Sequence, residues 1–283
     1  MPNIFWYICI AVIAVVSSAF SIYKKRDTHK VSTLIVFYLA TASSTWIAEF
    51  IVLGLFNSYG YRTGIFTDPW AQNLFGHLIL NTTLYPTAAI IMVAFSLGYA
   101  SIPIIAAIFT IIEYCFVKLG IYEQHWWRYY MTFAAVVVFL LVARKWFAKI
   151  KQKPSGLTRA ITFYFVAMII IHTPAPILLL LEKQYYRLSF IDNLVGNLYL
   201  SSILIIFFYH LLVAFLLVLY TSIFKKWYWR IVPFFFPPVI QAIFLKVGIL
   251  VMKDEWRLAY TIIIYELAIA VYVLIEKYTL KAV

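Results

Sequence analysis

Ionisable and amide side chains stand inside long apolar runs of this 283-residue sequence, where water cannot solvate them: Glu49, Glu113, Glu266, His172 and His210, with His77 and Asn81 in another run and Gln241 in a further one. A bare carboxylate at the middle of a bilayer costs on the order of 2.5 kcal/mol or more, so each must face protein or water and have a partner. Glu49, His77, Asn81, Glu113, His172 and Gln241 are therefore candidates for binding a small polar ligand or a proton. A Glu and a His in low dielectric can exchange a proton near neutral pH, which suits proton coupling. Thr41, Ser44, Thr45 and Glu49 share one helical face, either as interhelical hydrogen bonding or as a hydrated path. Lys118 stands about 140° around the helix from Glu113, a poor direct pair, and both Lys118 and Lys246 are expected to snorkel to headgroups.

Other chemistries lack their residues. Cys9 and Cys115 each sit in an apolar run with no Cys or His at ligand spacing, so neither a disulfide framework, a metal site nor a cofactor is predicted. Walker, His-Glu-x-x-His and Gly-x-Ser-x-Gly motifs do not occur, and the chain is not expected to be an enzyme. Intramembrane lipid modification by Glu and His as acid and base ranks last. Asn81-Thr82-Thr83 matches a glycosylation sequon but lies in an apolar run.

The elements that carry these residues must be membrane helices. Hydrophobic residues make up 65% of the chain and charged residues only 12%, too few for an ordinary soluble domain. The net charge of +12 comes from short loops, which argues against nucleic acid and for orientation in a bilayer. Nine spans fit: 4–22, 31–56, 73–98, 101–121, 127–147, 157–181, 199–223, 231–251 and 257–276. The first has no basic residue before it and Lys24, Lys25 and Arg26 after it, which reads as a retained span rather than a leader. Clusters such as Trp126, Trp127, Tyr129 and Tyr130, or Trp227, Tyr228 and Trp229, suit the headgroup belt.

Part of the sequence recurs. Asn73, Leu74, Gly76, Leu78 and Leu80 return as Asn193, Leu194, Gly196, Leu198 and Leu200; Phe116, Lys118, Gly120 and Ile121 return as Phe244, Lys246, Gly248 and Ile249; Trp127 and Arg128 return as Trp256 and Arg257. The expectation is an all-α integral membrane protein with a leading helix at 1–23 and two parallel four-helix repeats at 31–150 and 155–283. Gln241 matches Glu113 and Asn197 matches His77, so the second copy keeps hydrogen-bonding shape and loses the ionisable group. The first copy is then the owner of any single working site. The stretches Trp70 to Leu80 and Phe190 to Leu200 read either as interfacial segments or as parts of bent, inserted helices. Pro86 frees the carbonyl near Thr82, Pro174 and Pro176 free those of Ile170 and His172, and Pro237 with Pro238 break the eighth span before Gln241.

Glu113-Tyr114, Lys118, Gly120, Tyr122 and Trp127, preceded by Asn81 through Tyr85-Pro86, resemble a family of small uncharacterised membrane proteins of endospore-forming Firmicutes over about residues 65 to 130. Family members resemble a single copy, and this chain departs by carrying a second whose Glu is Gln241. The resemblance implies a bacterial cell membrane and supplies no activity.

Two functions are expected from these features. One is a carrier or small-ligand binding protein with a polar site between the two copies, in the outer half of the membrane, with Glu49, His77 and Glu113 as polar lining. The other is a non-enzymatic scaffold or sensor subunit whose polar residues only specify packing. Partners are then the lipid bilayer and a small polar ligand or proton.

Orientation follows from charge. One side collects Lys24, Lys25, Arg26, Lys30, Arg144, Lys145, Lys149, Lys151, Lys153, Arg159, Lys225, Lys226, Arg230, Lys277 and Lys281. The other has Arg62, Lys118, Arg128, Lys183, Arg187, Lys246, Lys253 and Arg257, fifteen against eight. This places the amino terminus outside and the carboxyl terminus in the cytoplasm. A C-terminal alkaline phosphatase fusion should accordingly be inactive and a C-terminal fluorescent fusion bright; an active phosphatase would overturn the orientation.

Overall fold

The computed structural model describes residues 2–152, 154–224 and 226–280. Lys153, Lys225 and Lys281, three of the basic residues assigned to the cytoplasmic side, lie outside the described residues, as does the side chain of Trp227. Among the described residues nine helical stretches are long and apolar enough to cross a membrane, the layout of a multi-pass membrane protein. Two antiparallel two-stranded ribbons supply the sheet structure. The chain divides between Pro154 and Ser155 into two compact units.

Unit 1 contains α1 (Asn3–Lys24), α2 (Val31–Glu49) with a π-helical continuation over Phe50–Leu55, β1 (Tyr59–Tyr61), α3 (Pro69–Ala94), α4 (Ser101–Lys118), β2 (Tyr122–Gln124) and α5 (Tyr129–Lys151). Small residues bring α1 close to α3: Ala14, Ser18 and Ser21 are buried while Ile13, Val16 and Phe20 stay exposed, as a lipid-facing surface requires. Ser18 Oγ and Thr87 Oγ1 share a hydrogen bond of 2.6 Å. Asp68 starts α3 by accepting from the backbone amides of Trp70 and Ala71, and Pro69 fits the first turn because an amide hydrogen there would find no acceptor within the helix. The helix then runs unbroken through the Trp70 to Leu80 stretch.

Pro86 cannot donate to the Thr82 carbonyl, and lipid offers no replacement. The Tyr38 hydroxyl of α2 supplies it at 2.6 Å, beside Thr45 Oγ1 donating to the Asn81 carbonyl at 3.1 Å and Trp46 Nε1 donating to Thr82 Oγ1 at 3.2 Å. A sequence-level break is thus turned into the α2–α3 contact.

Unit 2 contains α6 (Gly156–His172), α7 (Pro174–Leu180), β3 (Gln184–Tyr186), α8 (Ser189–Val195), α9 (Leu198–Val218) with a π-helical continuation over Leu219–Ile223, two 3-10 turns (Trp227–Arg230 and Val232–Phe234), α10 (Phe236–Lys246), β4 (Leu250–Met252) and α11 (Leu258–Tyr278). Pro174 separates α6 from α7, and Thr173 Oγ1 donates to the Ile169 carbonyl at 2.5 Å beside the break. Pro237 and Pro238 fall in the first turn of α10, where their missing amides leave no helical bond unmade. Away from the ribbon, buried Glu276 pairs with Arg159 at 2.6 Å, and Ser222 Oγ donates to the same carboxylate at 3.0 Å.

Spans four and eight stop at Lys118 and Lys246, several residues before the expected 121 and 251. The reason is the recurring block itself. Gly120 (φ +70) and Gly248 (φ +77) take a left-handed conformation, the Ile121 amide donates back to the Phe116 carbonyl at 3.0 Å, and the Ile249 amide to the Phe244 carbonyl at 2.9 Å. Each helix is thereby closed and its chain directed into a strand.

The Asn block behaves differently and corrects the expected match. Asn73 is buried in the continuous α3, whereas Asn193 is exposed in the seven-residue α8, which ends at Gly196. Asn197, matched in sequence to His77, instead caps α9 by accepting from the Leu200 amide at 2.9 Å, the job Asp68 does for α3. The aligned residues share types but not positions in their helices.

Removing the Tyr38 hydroxyl should isolate the value of covering a proline-freed carbonyl. Tyr38→Phe is expected to lower stability by about 1–2 kcal/mol in detergent unfolding, and by clearly less in a Pro86→Ala background, where Thr82 regains a backbone donor. Equal losses in both backgrounds would mean that the hydroxyl has no such role.

Candidate functional site

The site residues of unit 1 collect where the helices meet the ribbon. β1 pairs with β2 in the register Tyr59↔Gln124, Gly60↔Glu123 and Tyr61↔Tyr122. Alternation along a strand turns Tyr59 and Tyr61 to one face, toward the helices. Gly76 of α3 makes room for this approach, since a Cβ there would stand 2.5 Å from Tyr61 Cγ. Asn73 Oδ1 fixes the strand by accepting from the Tyr61 amide at 2.8 Å.

Both tyrosines end on Glu49. Tyr59 Oη donates to Glu49 Oε2 at 2.5 Å and Tyr61 Oη to Oε1 at 2.8 Å, at the point where α2 passes into its π-helical segment. Asn81 Nδ2 lies 3.1 Å from His77 Nδ1, and its amide also reaches the Glu49 carboxylate. The expected Glu–His proton exchange is therefore not direct here. The Asn81 amide stands between the two groups, and an amide holds its hydrogens too tightly to pass one on. His77 packs on Trp46 with ring centroids 4.9 Å apart. Within the Thr41–Glu49 stripe, Thr41 and Ser44 bond to carbonyls of their own helix.

Glu113 reaches the same aromatic group from α4. It is buried at 8% exposure, and Gln124 Nε2 of β2 donates to its Oε1 at 2.8 Å. Its Oε2 is buried and makes no hydrogen bond among the described residues. Trp127 Nε1 donates to Thr132 Oγ1 at 2.7 Å, which leaves the Thr132 hydroxyl beside the carboxylate. Glu113 borders a cavity of about 70 Å³ whose walls include Tyr59, Tyr61, Tyr85, Phe109, Tyr122 and Trp127. Neither Glu49 nor Glu113 has an ion-pair partner among the described residues.

Two open clefts of about 490 and 420 Å³ flank an exposed cluster of Arg62, Glu123 and His125 above the ribbon. Arg62 bonds to Glu123, and His125 Nε2 lies 3.3 Å from the same carboxylate. The second cleft shares Tyr122 with the Glu113 cavity and is lined by Gln124. Polar surface thus continues from the exposed cluster to Gln124, one hydrogen bond from Glu113.

Unit 2 repeats the ribbon with neutral ends. β3 pairs with β4 in the register Gln184↔Met252, Tyr185↔Val251 and Tyr186↔Leu250, and Ser202 Oγ accepts from the Tyr186 amide at 3.0 Å. Tyr186 Oη donates to Gln241 Oε1 at 3.0 Å, and Trp256 Nε1 donates to Thr261 Oγ1 at 3.0 Å, which donates on to Gln184 Oε1 at 2.5 Å. His172 and His210 meet through their Nδ1 atoms at 3.1 Å, and His210 stacks on Tyr265. One ring must present hydrogen and the other a lone pair, so this buried pair holds at most one extra proton without repulsion.

The six candidates thus divide between units: Glu49, His77, Asn81 and Glu113 gather in unit 1, and His172 and Gln241 in unit 2. Glu266 is half-buried with Oε1 unbonded among the described residues, so the expected partner is not there. Lys118 and Lys246 are exposed near their helix ends, as snorkelling requires. The residues missed in sequence are the ribbon aromatics Tyr59, Tyr61 and Tyr186, with Gln124 and Thr132, while Tyr122 entered only as part of the resemblance. Their signal is Tyr-Gly-Tyr and Gln-Tyr-Tyr, short alternating runs between spans.

No protein-family model, curated protein or solved structure matches the chain.

The ribbon hydroxyls also set a pH signature. Burial first, and then the Glu49 carboxylate, hold Tyr59 and Tyr61 well above the ordinary tyrosine range; for Tyr122 the order is burial, Glu113, Glu49. An acid whose folded pKa is raised keeps its proton in the fold while the unfolded chain loses it, so stability is constant below the ordinary value of about 10 and falls as pH rises above it. Unfolding midpoints should be flat to about pH 9 and drop beyond, with a shallower drop in Tyr59→Phe. A profile unchanged by that substitution would mean that Tyr59 is not one of the groups responsible.

Proposed function

We propose that this protein is a non-enzymatic carrier or small-ligand binding protein of a bacterial cell membrane, with its site in the aromatic cavity of unit 1. The observation that carries the reading is Glu113, a buried carboxylate that borders a cavity and has no ion-pair partner among the described residues, with Gln124 bonded to one oxygen and the Thr132 hydroxyl beside the group. An unmet buried acceptor destabilises a fold by about 1–3 kcal/mol, and where Glu276 keeps one such oxygen its charge is met by Arg159, whereas Glu113 has no ion-pair partner among the described residues. Glu49 has both oxygens bonded, and it belongs to the framework of the site rather than to its ligand.

The reading extends to layout and orientation. Equal closure of α4 and α10 by Gly120 and Gly248 and equal Trp-to-Thr bonds support two parallel four-helix repeats after a leading helix. Gln241 in place of Glu113 leaves the first repeat as the owner of the ionisable site. The charge bias of the loops supports an outward-facing ribbon end, and the resemblance over residues 65–130 supports a bacterial membrane. A scaffold or sensor subunit is favoured by a different observation, the saturation of Glu49 by Tyr59 and Tyr61.

Thiol accessibility separates the two. With Cys9 and Cys115 replaced, a single cysteine at position 113 should react from outside in intact cells with a small impermeant reagent, while one at 49, sealed behind Tyr59 and Tyr61, should be protected. Protection of position 113 in correctly inserted protein would sink the binding-site reading and leave the scaffold.

A further inference from the structure

Resting on the binding-site reading above, we infer that the unit 1 cavity takes a small organic cation, an alkylammonium head group held among the rings of Tyr59, Tyr61, Tyr122 and Trp127 with Glu113 as its counter-ion. The ligand class follows from what the walls can offer. Aromatic faces carry negative quadrupole charge and attract a cation near the ring centroid, most strongly where water is excluded. The rings are close enough to form a continuous wall: Tyr59 lies 5.1 Å from Tyr122 and 5.8 Å from Trp127, and Tyr61 lies 5.4 Å from Tyr122, centroid to centroid.

Glu49 strengthens this wall at one remove. Tyr59 and Tyr61 donate their hydroxyl hydrogens to its carboxylate, which pushes electron density into both rings and makes their faces better partners for positive charge. Glu113 supplies the direct counter-charge. It is more than nine-tenths buried, and its Oε2 is without a hydrogen bond among the described residues. An anionic ligand would be repelled by the Glu113 carboxylate in the cavity wall, and a neutral apolar one would leave that carboxylate without a counter-charge. A hydrated metal ion would have to exchange its water for rings and one carboxylate, and among the described residues no cluster of three metal-ligating side chains occurs. The cavity, about 70 Å³, admits a head group of a few water-sized moieties, which selects small alkylammoniums.

Calorimetric titration of the full chain in nanodiscs of zwitterionic lipid, at constant ionic strength, tests the inference with methylammonium, ethylammonium and trimethylammonium chlorides against ethanol and tert-butanol. At least one ammonium should bind saturably and the alcohols should not. Glu113→Gln and Tyr122→Leu should each weaken binding about tenfold or more, with Glu266→Gln within about twofold of the unaltered protein. Glu113→Gln preserves shape, and an unfolding scan of each variant separates lost binding from lost fold. Saturable binding of an alcohol with equal affinity, or ammonium binding unchanged in both Glu113→Gln and Tyr122→Leu, overturns the cation assignment while leaving a ligand site. No binding of any probe, although a cysteine at 113 is labelled from outside, also overturns it and leaves the accessible cavity standing. Absent binding together with a protected position 113 removes both readings.

Discussion

A carboxylate enclosed between membrane helices must find donors inside the protein, because lipid has none to give. In unit 1 Glu49 finds them in Tyr59 and Tyr61, and the arrangement of the ribbon end follows from that demand. For two hydroxyls to reach one carboxylate, their strand must present alternate residues to the same face. That strand needs a partner, and β2 supplies it. The Tyr61 ring must also lie against α3, which only the missing side chain at Gly76 permits. One buried charge thereby ties together α2, α3 and both strands.

The same demand explains how the prolines are tolerated. A carbonyl freed within a span is as costly as a side chain without partners, and Tyr38 covers Thr82 as the ribbon tyrosines cover Glu49. In unit 2 the corresponding contacts join neutral groups, with Tyr186 reaching Gln241 and Thr261 reaching Gln184. Its charged pair, Arg159 and Glu276, sits away from the ribbon with Ser222 as an added donor. Glu276 also keeps one oxygen without a hydrogen bond, but Arg159 meets its charge; Glu113, bonded to Gln124 through one oxygen, borders a cavity and has no ion-pair partner among the described residues.

The two units also show how similar residues acquire different work. Gly120 and Gly248 are needed at one kind of point, a helix end that must turn at once into a strand, and so the match in sequence is a match in structure. Gly76 and Gly196 are glycines for separate reasons, one for a close ring and one at the end of a short helix. Type and order alone therefore pair residues whose physical constraints have nothing in common.

The helical, membrane-spanning character of the chain was legible in its residues, because long apolar runs admit only structures whose backbone hydrogen bonds close on themselves. Span positions, the need of Glu49 and Glu113 for protein surroundings, the freed carbonyl at Thr82 and the tie between Gly120 and Gly248 were legible for the same reason: each is a local demand of a short stretch. What satisfies those demands comes from far along the chain, and no local pattern specifies it. Tyr59 and Tyr61 lie in a loop by hydropathy, three-residue strands are too short for periodicity to reveal, and Asn81 between Glu49 and His77 emerges only once α2 and α3 pack. The sequence determined which groups cannot be left alone in a membrane. Tertiary structure decided which of them are sealed and which border a cavity, because that depends on donors brought together across separate helices.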